Sequence, residues 1–160
     1  MGVLNIVHAH AHGWAFDTAR KVRTSFALGE TVSDDDLDRV LDGLGLEWRE
    51  RDLPGRLTEM VTDGLIVVQK GLSHRERRWA LAHATGHHLG HDGDQTSLDL
   101  SWRWRQERQA DIFAGFLLLS PNLMGRLRSV HELADRADVP LDQALRWCGW
   151  LVTTPWRDVS

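Results

Sequence analysis

The chain has 160 residues, of which 42% are hydrophobic, and its 19 Lys and Arg against 23 Asp and Glu give a net charge of −4. This composition predicts one compact domain with a buried core and excludes wholesale disorder. The acidic excess argues against a dedicated nucleic-acid-binding protein. A single cysteine excludes an internal disulfide, and no apolar stretch approaches the roughly 20 residues that span a bilayer. We therefore expect a cytoplasmic protein without a membrane partner.

The N-terminal part predicts a leader followed by two helices. Residues 1–13 carry histidine at three alternate positions and are expected to form a flexible leader. Apolar residues at helical spacing from Trp14 to Ala27 predict the first helix. Ser33, which precedes three aspartates, is typical of a helix N-cap, and the apolar stripe that follows ends near Gly45.

The next segment predicts three short strands. Leu46–Arg51 alternates apolar and polar residues, which favours a strand. Glu59–Thr62 and Leu65–Gln69 flank the dipeptide Asp63-Gly64, which tolerates the positive φ angles of a tight turn. The two runs therefore predict a β-hairpin, with its β-branched second strand buried.

Helices dominate the remainder. Ser73 and Glu76 match a capping box that opens a helix running to about His91. A second long helix is predicted over Trp102–Leu119, and two short helices follow, over Val130–Ala137 and Leu141–Leu151. On the last helix, the predicted buried stripe is Leu141, Leu145 and Cys148.

These elements predict an α+β fold in which a small mixed sheet with a β-hairpin is packed by helices. Residues 14–125 would form the core domain, and residues 126–160 a C-terminal helical pair packed on or beside it. That pair holds five arginines and five acidic residues, so we expect it to pack or dock rather than bind phosphates.

The two long helices carry residues suited to a metal site. His83 and His87 are four residues apart, so they share a helix face and can converge on one ion. Glu107 is predicted as a third ligand, with the fourth position open, as in catalytic zinc sites. Asp111, one turn on, is placed to accept the spare ring N–H of a ligand histidine. A fortuitous histidine pair and a solvated acidic helix face are the alternatives, but histidines in such an apolar stretch need a partner.

The residues from Leu81 to His91, LAHATGHHLGH, resemble the zinc helix of the ImmA/IrrE-type metallopeptidases. Residues 107–114 are similar to the third-ligand helix of that family, and residues 117–121 to its ending. The resemblance implies Zn²⁺ held by His83, His87 and Glu107, with Asp111 as the acid one turn after the ligand. It also implies cleavage of a protein regulator such as a helix-turn-helix repressor.

Ala84 departs from the family pattern. It occupies the position of the glutamate in HExxH, the general base of such peptidases. The chain is therefore expected to bind zinc and to be inactive. An inactivating substitution or a natural conversion to a binding-only protein would each remove the base alone, and the intact ligand set favours the first. Because the chain has no tyrosine, His131 is predicted as an oxyanion-stabilising residue, with His88 and His91 as alternatives.

A second hypothesis is a non-catalytic regulatory module in which zinc is structural and a groove binds a regulator. A fourth protein ligand, from His91 or the leader, would favour that module. An open coordination position beside a cleft would favour the enzyme. A metal-free adaptor is the third alternative.

Overall fold

The computed structural model describes residues 13–90 and 100–152. The elements in chain order are α1 (Gly13–Ser25), α2 (Asp34–Gly43), β1 (Glu47–Arg51), β2 (Glu59–Thr62), β3 (Leu65–Gln69), α3 (His74–Gly90), α4 (Leu100–Leu118), α5 (Pro121–Met124), α6 (Val130–Ala137) and α7 (Leu141–Val152). The leader up to residue 12 and His91 lie outside the described residues. The mixed α+β architecture confirms the predicted fold class. None of the described helices is both long and apolar enough to cross a membrane.

The sheet is mixed, as predicted, and has the strand order β1-β3-β2. β1 runs parallel to β3, and β2 pairs with β3 in antiparallel register, with Val61 opposite Ile66. Asp63 and Gly64, both at positive φ, form the turn of the predicted hairpin. On β3, the side chains of Ile66 and Val68 are fully buried. β2 lies at one edge of the sheet.

Local capping signals determine where α2 and α3 begin. Ser33 and Asp36 form a complete capping box at α2. At α3 the Ser73 backbone N–H donates to Glu76 Oε2 at 2.8 Å, and the Glu76 N–H donates to Ser73 Oγ at 3.2 Å. Both starts confirm the predictions, because a cap depends on residues within a single helical turn.

The short helix α5 was not predicted. The Leu123 backbone N–H donates to Ser120 Oγ at 3.2 Å, and Pro121 occupies the first turn. Serine at the N-cap followed by proline is a common start of a helix, so the signal was present in the sequence. With only four residues, α5 is too short for hydrophobic periodicity to reveal it.

A glycine allows α3 and α4 to pack closely. A Cβ atom added at Gly86 would lie 3.0 Å from the Phe113 ring and 3.1 Å from the Cα of Ala110. Any side chain at Gly86 would therefore push the two helices apart. Because Gly86 lies between His83 and His87, this contact brings the histidine face of α3 against α4.

Helix α7 packs on α4 through a similar close contact. Trp147 is fully buried, and a Cβ atom at Gly115 would overlap its indole ring. The predicted stripe on α7 is partly wrong, since Leu145 is 53% exposed whereas Cys148 is buried. The buried face consists of Ala144, Trp147, Cys148 and Leu151. The division into a core at 14–125 and a pair at 126–160 stays a prediction.

Candidate metal centre

Three predicted ligand residues meet where α3 faces α4. His83 Nε2 lies 3.0 Å from His87 Nε2 and 3.2 Å from Glu107 Oε2. His87 Nε2 lies 3.1 Å from Glu107 Oε1. The four-residue spacing on α3 places the two imidazoles side by side in an edge-to-face arrangement, with centroids 4.7 Å apart, and Glu107 reaches them from α4.

The donor set fits a divalent transition metal. One ligand atom from each of His83, His87 and Glu107 lies within 4.8 Å of the other two, so these residues could hold an ion. Donors bound to zinc at 2.0–2.1 Å in tetrahedral geometry are about 3.3 Å apart, close to the spacing observed. Both histidines are buried, whereas the Glu107 side chain is 59% exposed. The centre therefore opens to solvent on the side of Glu107.

Asp111 contacts the other side of the His83 ring. Its Oδ1 lies 2.9 Å from His83 Nδ1. Arg146 on α7 donates from Nε to Oδ2 and from a terminal nitrogen to Oδ1, both at 2.8 Å. Trp150 Nε1 also donates to Oδ2, at 3.0 Å. Helix α7 thus holds the carboxylate that faces His83.

The electrostatics of the centre favour a positive charge between its carboxylates. Burial opposes ionisation of His83, but Asp111, Glu107 and Glu59 outweigh it and raise the pKa of His83 to about 10. Burial would raise the pKa of Glu107, yet hydrogen bonds from His83 and His87 hold it well below its usual value. Burial would also raise the pKa of Asp111, but hydrogen bonds from His83 and Arg146 lower it below its usual value. Without an ion, a proton on His83 supplies the positive charge.

A further carboxylate, from β2, was not identified from the sequence. Glu59 Oε1 lies 3.6 Å from His83 Nε2, and the Glu59 side chain is only 17% exposed. A glutamate at the start of an edge strand is typical of a solvated position, so the sequence contains no signal for this contact. The contact exists because β2 packs against α3.

The remaining predicted site residues are placed as follows. Ala84 is fully buried on α3 beside His83, and its methyl group cannot transfer a proton. The Thr85 hydroxyl donates to the Leu81 carbonyl at 2.8 Å, within the helix. His131 is exposed on α6, and within the described ranges no hydrogen bond or ion pair joins it to the three ligand residues. Its role as an oxyanion-stabilising residue stays a prediction.

The Arg146 contact leads to a quantitative expectation. Arg146→Met leaves Asp111 buried with one charged partner fewer, so we expect about 10- to 100-fold weaker zinc binding, as for other partners that orient a ligand histidine. The measurement is competition with a chromophoric chelator. Arg126→Met removes an exposed ion pair with Glu30 and is the matched control. Equal zinc affinity in both variants would contradict a role for Arg146 in orienting the site.

Comparison with known proteins agrees with this geometry. The family model described as the IrrE N-terminal-like domain, peptidase family M78, matches residues 42–146. A search of curated proteins finds no match. A solved structure of a Mycobacterium tuberculosis transcriptional regulator is similar in fold, with a TM-score of 0.63 and 18% identity over 87% of this chain and 47% of that chain. This chain thus spans about half the length of that regulator. The matched range includes both helices that carry the metal centre.

Proposed function

Because the chain belongs to the IrrE N-terminal-like peptidase family, we propose that it is a zinc-binding metallopeptidase-like domain that has lost its hydrolytic activity. The observation that carries the proposal is the convergence of His83, His87 and Glu107 within 4.8 Å. This His₂Glu set is a common donor set of zinc peptidases. The loss of activity is attributed to Ala84, which stands at the position of the general base.

Different residues of this chain would hold the metal ion, orient its ligands and balance their charge. Zinc, when bound, supplies a Lewis acid that polarises a carbonyl group. His83, His87 and Glu107 would hold it, and Asp111 fixes the orientation of the His83 ring. Arg146 balances the charge of Asp111, so that carboxylate keeps its position when His83 gives up its proton. With a methyl group at Ala84, α3 offers no side chain there to take or return a proton.

The proposed partner is a protein regulator in the cytoplasm, such as a helix-turn-helix repressor. The family resemblance supports this class, and the mycobacterial protein of similar fold is a transcriptional regulator. In the described part of the chain, β2 ends the sheet, so its outer edge can pair with an extended segment of a partner. Leu57 and Met60, 47% and 44% exposed, provide apolar contacts beside that edge.

A non-catalytic regulatory module is the second candidate. Two observations favour it: the missing base at Ala84 and the approach of Glu59 to His83. In this function zinc stabilises the fold, and the β2 edge binds a regulator without cleaving it. The two candidates share the metal centre and differ in whether a coordination position stays open.

Zinc titration tests the shared part of the proposal. Zinc at 100 times its Kd is expected to stabilise the metal-free chain by about 2.7 kcal/mol. Binding requires neutral imidazoles, and His83 carries a proton up to a pKa of about 10. Binding therefore displaces that proton, and the affinity is expected to rise with pH by up to about tenfold per unit between pH 6.5 and 8.5. Titration calorimetry in buffers of different ionisation enthalpy measures the affinity and the proton release, and urea unfolding with and without zinc measures the stabilisation.

The control is the double variant His83→Ala/His87→Ala, which keeps the histidines of residues 1–13. It is expected to lose the tight, pH-dependent site and to retain only weak binding. An unchanged zinc affinity in this variant would contradict the proposal. The absence of saturable zinc binding by the parent chain would contradict it as well.

A further inference from the structure

We propose that Glu59 is a fourth protein ligand of the ion held by His83, His87 and Glu107. The inference rests on the metal centre that both candidate functions share and adds to it a residue from the sheet. Of the two candidates, a centre closed in this way favours the non-catalytic module. It assigns a role to a carboxylate that the sequence pattern left as an ordinary strand residue.

The position of Glu59 suits this role. The residue begins β2 and pairs with Val68 of β3, so its backbone is fixed by the sheet. One carboxylate oxygen accepts a hydrogen bond from the Thr58 hydroxyl, and the other faces His83 Nε2 at 3.6 Å. This separation is close to the about 3.3 Å between donors in a tetrahedral zinc site. Glu59 thus approaches His83 at Nε2, the nitrogen that would bind the metal, whereas Asp111 approaches the other ring nitrogen, Nδ1.

A change in the side-chain torsions of Glu59 would bring its carboxylate into the set of metal ligands. Glu59 is not among the residues whose ligand atoms lie within 4.8 Å of one another, so its carboxylate must move toward Glu107 and His87 to bind. A glutamate has three side-chain torsions, and their adjustment moves the carboxylate without moving the strand. The hydrogen bond from Thr58 can follow or be replaced by solvent, because that contact is exposed.

Charge balance favours a second carboxylate. A divalent ion held by two neutral imidazoles and Glu107 leaves one positive charge beside two buried histidines. The charge of Asp111 balances it only in part, since Arg146 already pairs with that carboxylate at 2.8 Å. An unbalanced buried charge is costly. Binding by Glu59 makes the centre neutral.

A centre closed by four protein ligands agrees with the loss of the base. Structural zinc sites are fully coordinated by protein, whereas catalytic sites keep one position for water. With Ala84 in place of the base, an open position has no catalytic use in this chain. Glu59 can therefore bind the ion without competing with a reaction.

Metal binding by Glu59→Gln and Glu59→Ala tests the proposal. The probes are Zn²⁺ in competition with a chromophoric chelator and Co²⁺, whose visible absorption reports coordination geometry. Both variants of the full chain are expected to bind Zn²⁺ about 10- to 100-fold more weakly than the parent and to change the Co²⁺ spectrum. Glu47→Gln, which makes the same charge change on β1 where the side chain is 77% exposed, is expected to alter neither.

The outcomes separate this inference from the proposed function. Circular dichroism and thermal unfolding of each metal-free variant verify that it folds. Parent-like Zn²⁺ affinity and an unchanged Co²⁺ spectrum in folded Glu59→Gln would overturn the role of Glu59, while the three-residue site stands if Glu107→Gln loses binding. A parent chain that binds neither metal would overturn the metal centre and the role of Glu59 together.

Discussion

Ala84→Glu is expected to produce zinc-dependent peptidase activity, with a rate about 10²- to 10⁴-fold above that of the parent chain in the same assay. The substitution returns a carboxylate to the residue next to His83, where it can take a proton during attack and deliver it to the leaving amine. The measurement is cleavage of a helix-turn-helix repressor, with and without a chelator. Ala84→Gln, of equal size but unable to act as a base, is the matched control.

Two checks keep this result interpretable. Ala84 is fully buried, so the larger side chain can cost about 1–3 kcal/mol of stability through overpacking, and thermal unfolding measures that cost. If Glu59 binds the ion, Ala84→Glu/Glu59→Gln is expected to be more active than Ala84→Glu alone, because a coordination position becomes free. A folded, zinc-loaded Ala84→Glu/Glu59→Gln chain that cleaves no repressor would count against the proposal that the site derives from a peptidase.

Trp147→Ala is expected to lower the free energy of unfolding by about 3–5 kcal/mol. The indole is fully buried, lies against the backbone at Gly115 and meets the Phe116 ring edge-on, with centroids 5.7 Å apart. Its loss leaves a large cavity between α4 and α7. Urea unfolding measures the change, and Leu145→Ala, on the exposed face of α7, is the control with an expected effect below about 0.5 kcal/mol.

The same variant should also weaken the metal centre. Arg146 and Trp150 reach Asp111 only while α7 lies against α4. A destabilised α7 therefore lowers the zinc affinity as well as the stability. A loss of stability with parent-like zinc affinity would mean that the two are not connected through α7.

The sequence predicted elements whose signals are local. The Ser73 capping box, the Asp63-Gly64 hairpin and the helix over Val130–Ala137 each depend on residues a few positions apart, and all agree with the structure. The proximity of His83 and Glu107 was predicted because helical spacing gave each helix a definite face and the donor types matched one ion.

Contacts between distant segments could not be predicted where the residue types did not point to a shared ion. Arg146 is 35 positions from Asp111, and no spacing rule connects α7 with α4. Glu59 meets His83 only because an edge strand packs beside a helix. On α7, Leu145 is apolar yet exposed, because the tryptophan at 147 rather than the leucine fills the space against Gly115. Tertiary packing decided each of these outcomes.

The hydrogen bonds from Arg146 and Trp150 to Asp111 couple the position of α7 to the candidate metal centre. Any molecule that binds α7 and moves it away from α4 must lower the affinity of the centre for the metal ion. Thermodynamic reciprocity then requires the ion to oppose that molecule by the same factor. Metal binding and partner binding would thus influence each other through the Asp111 carboxylate, without cleavage of the partner.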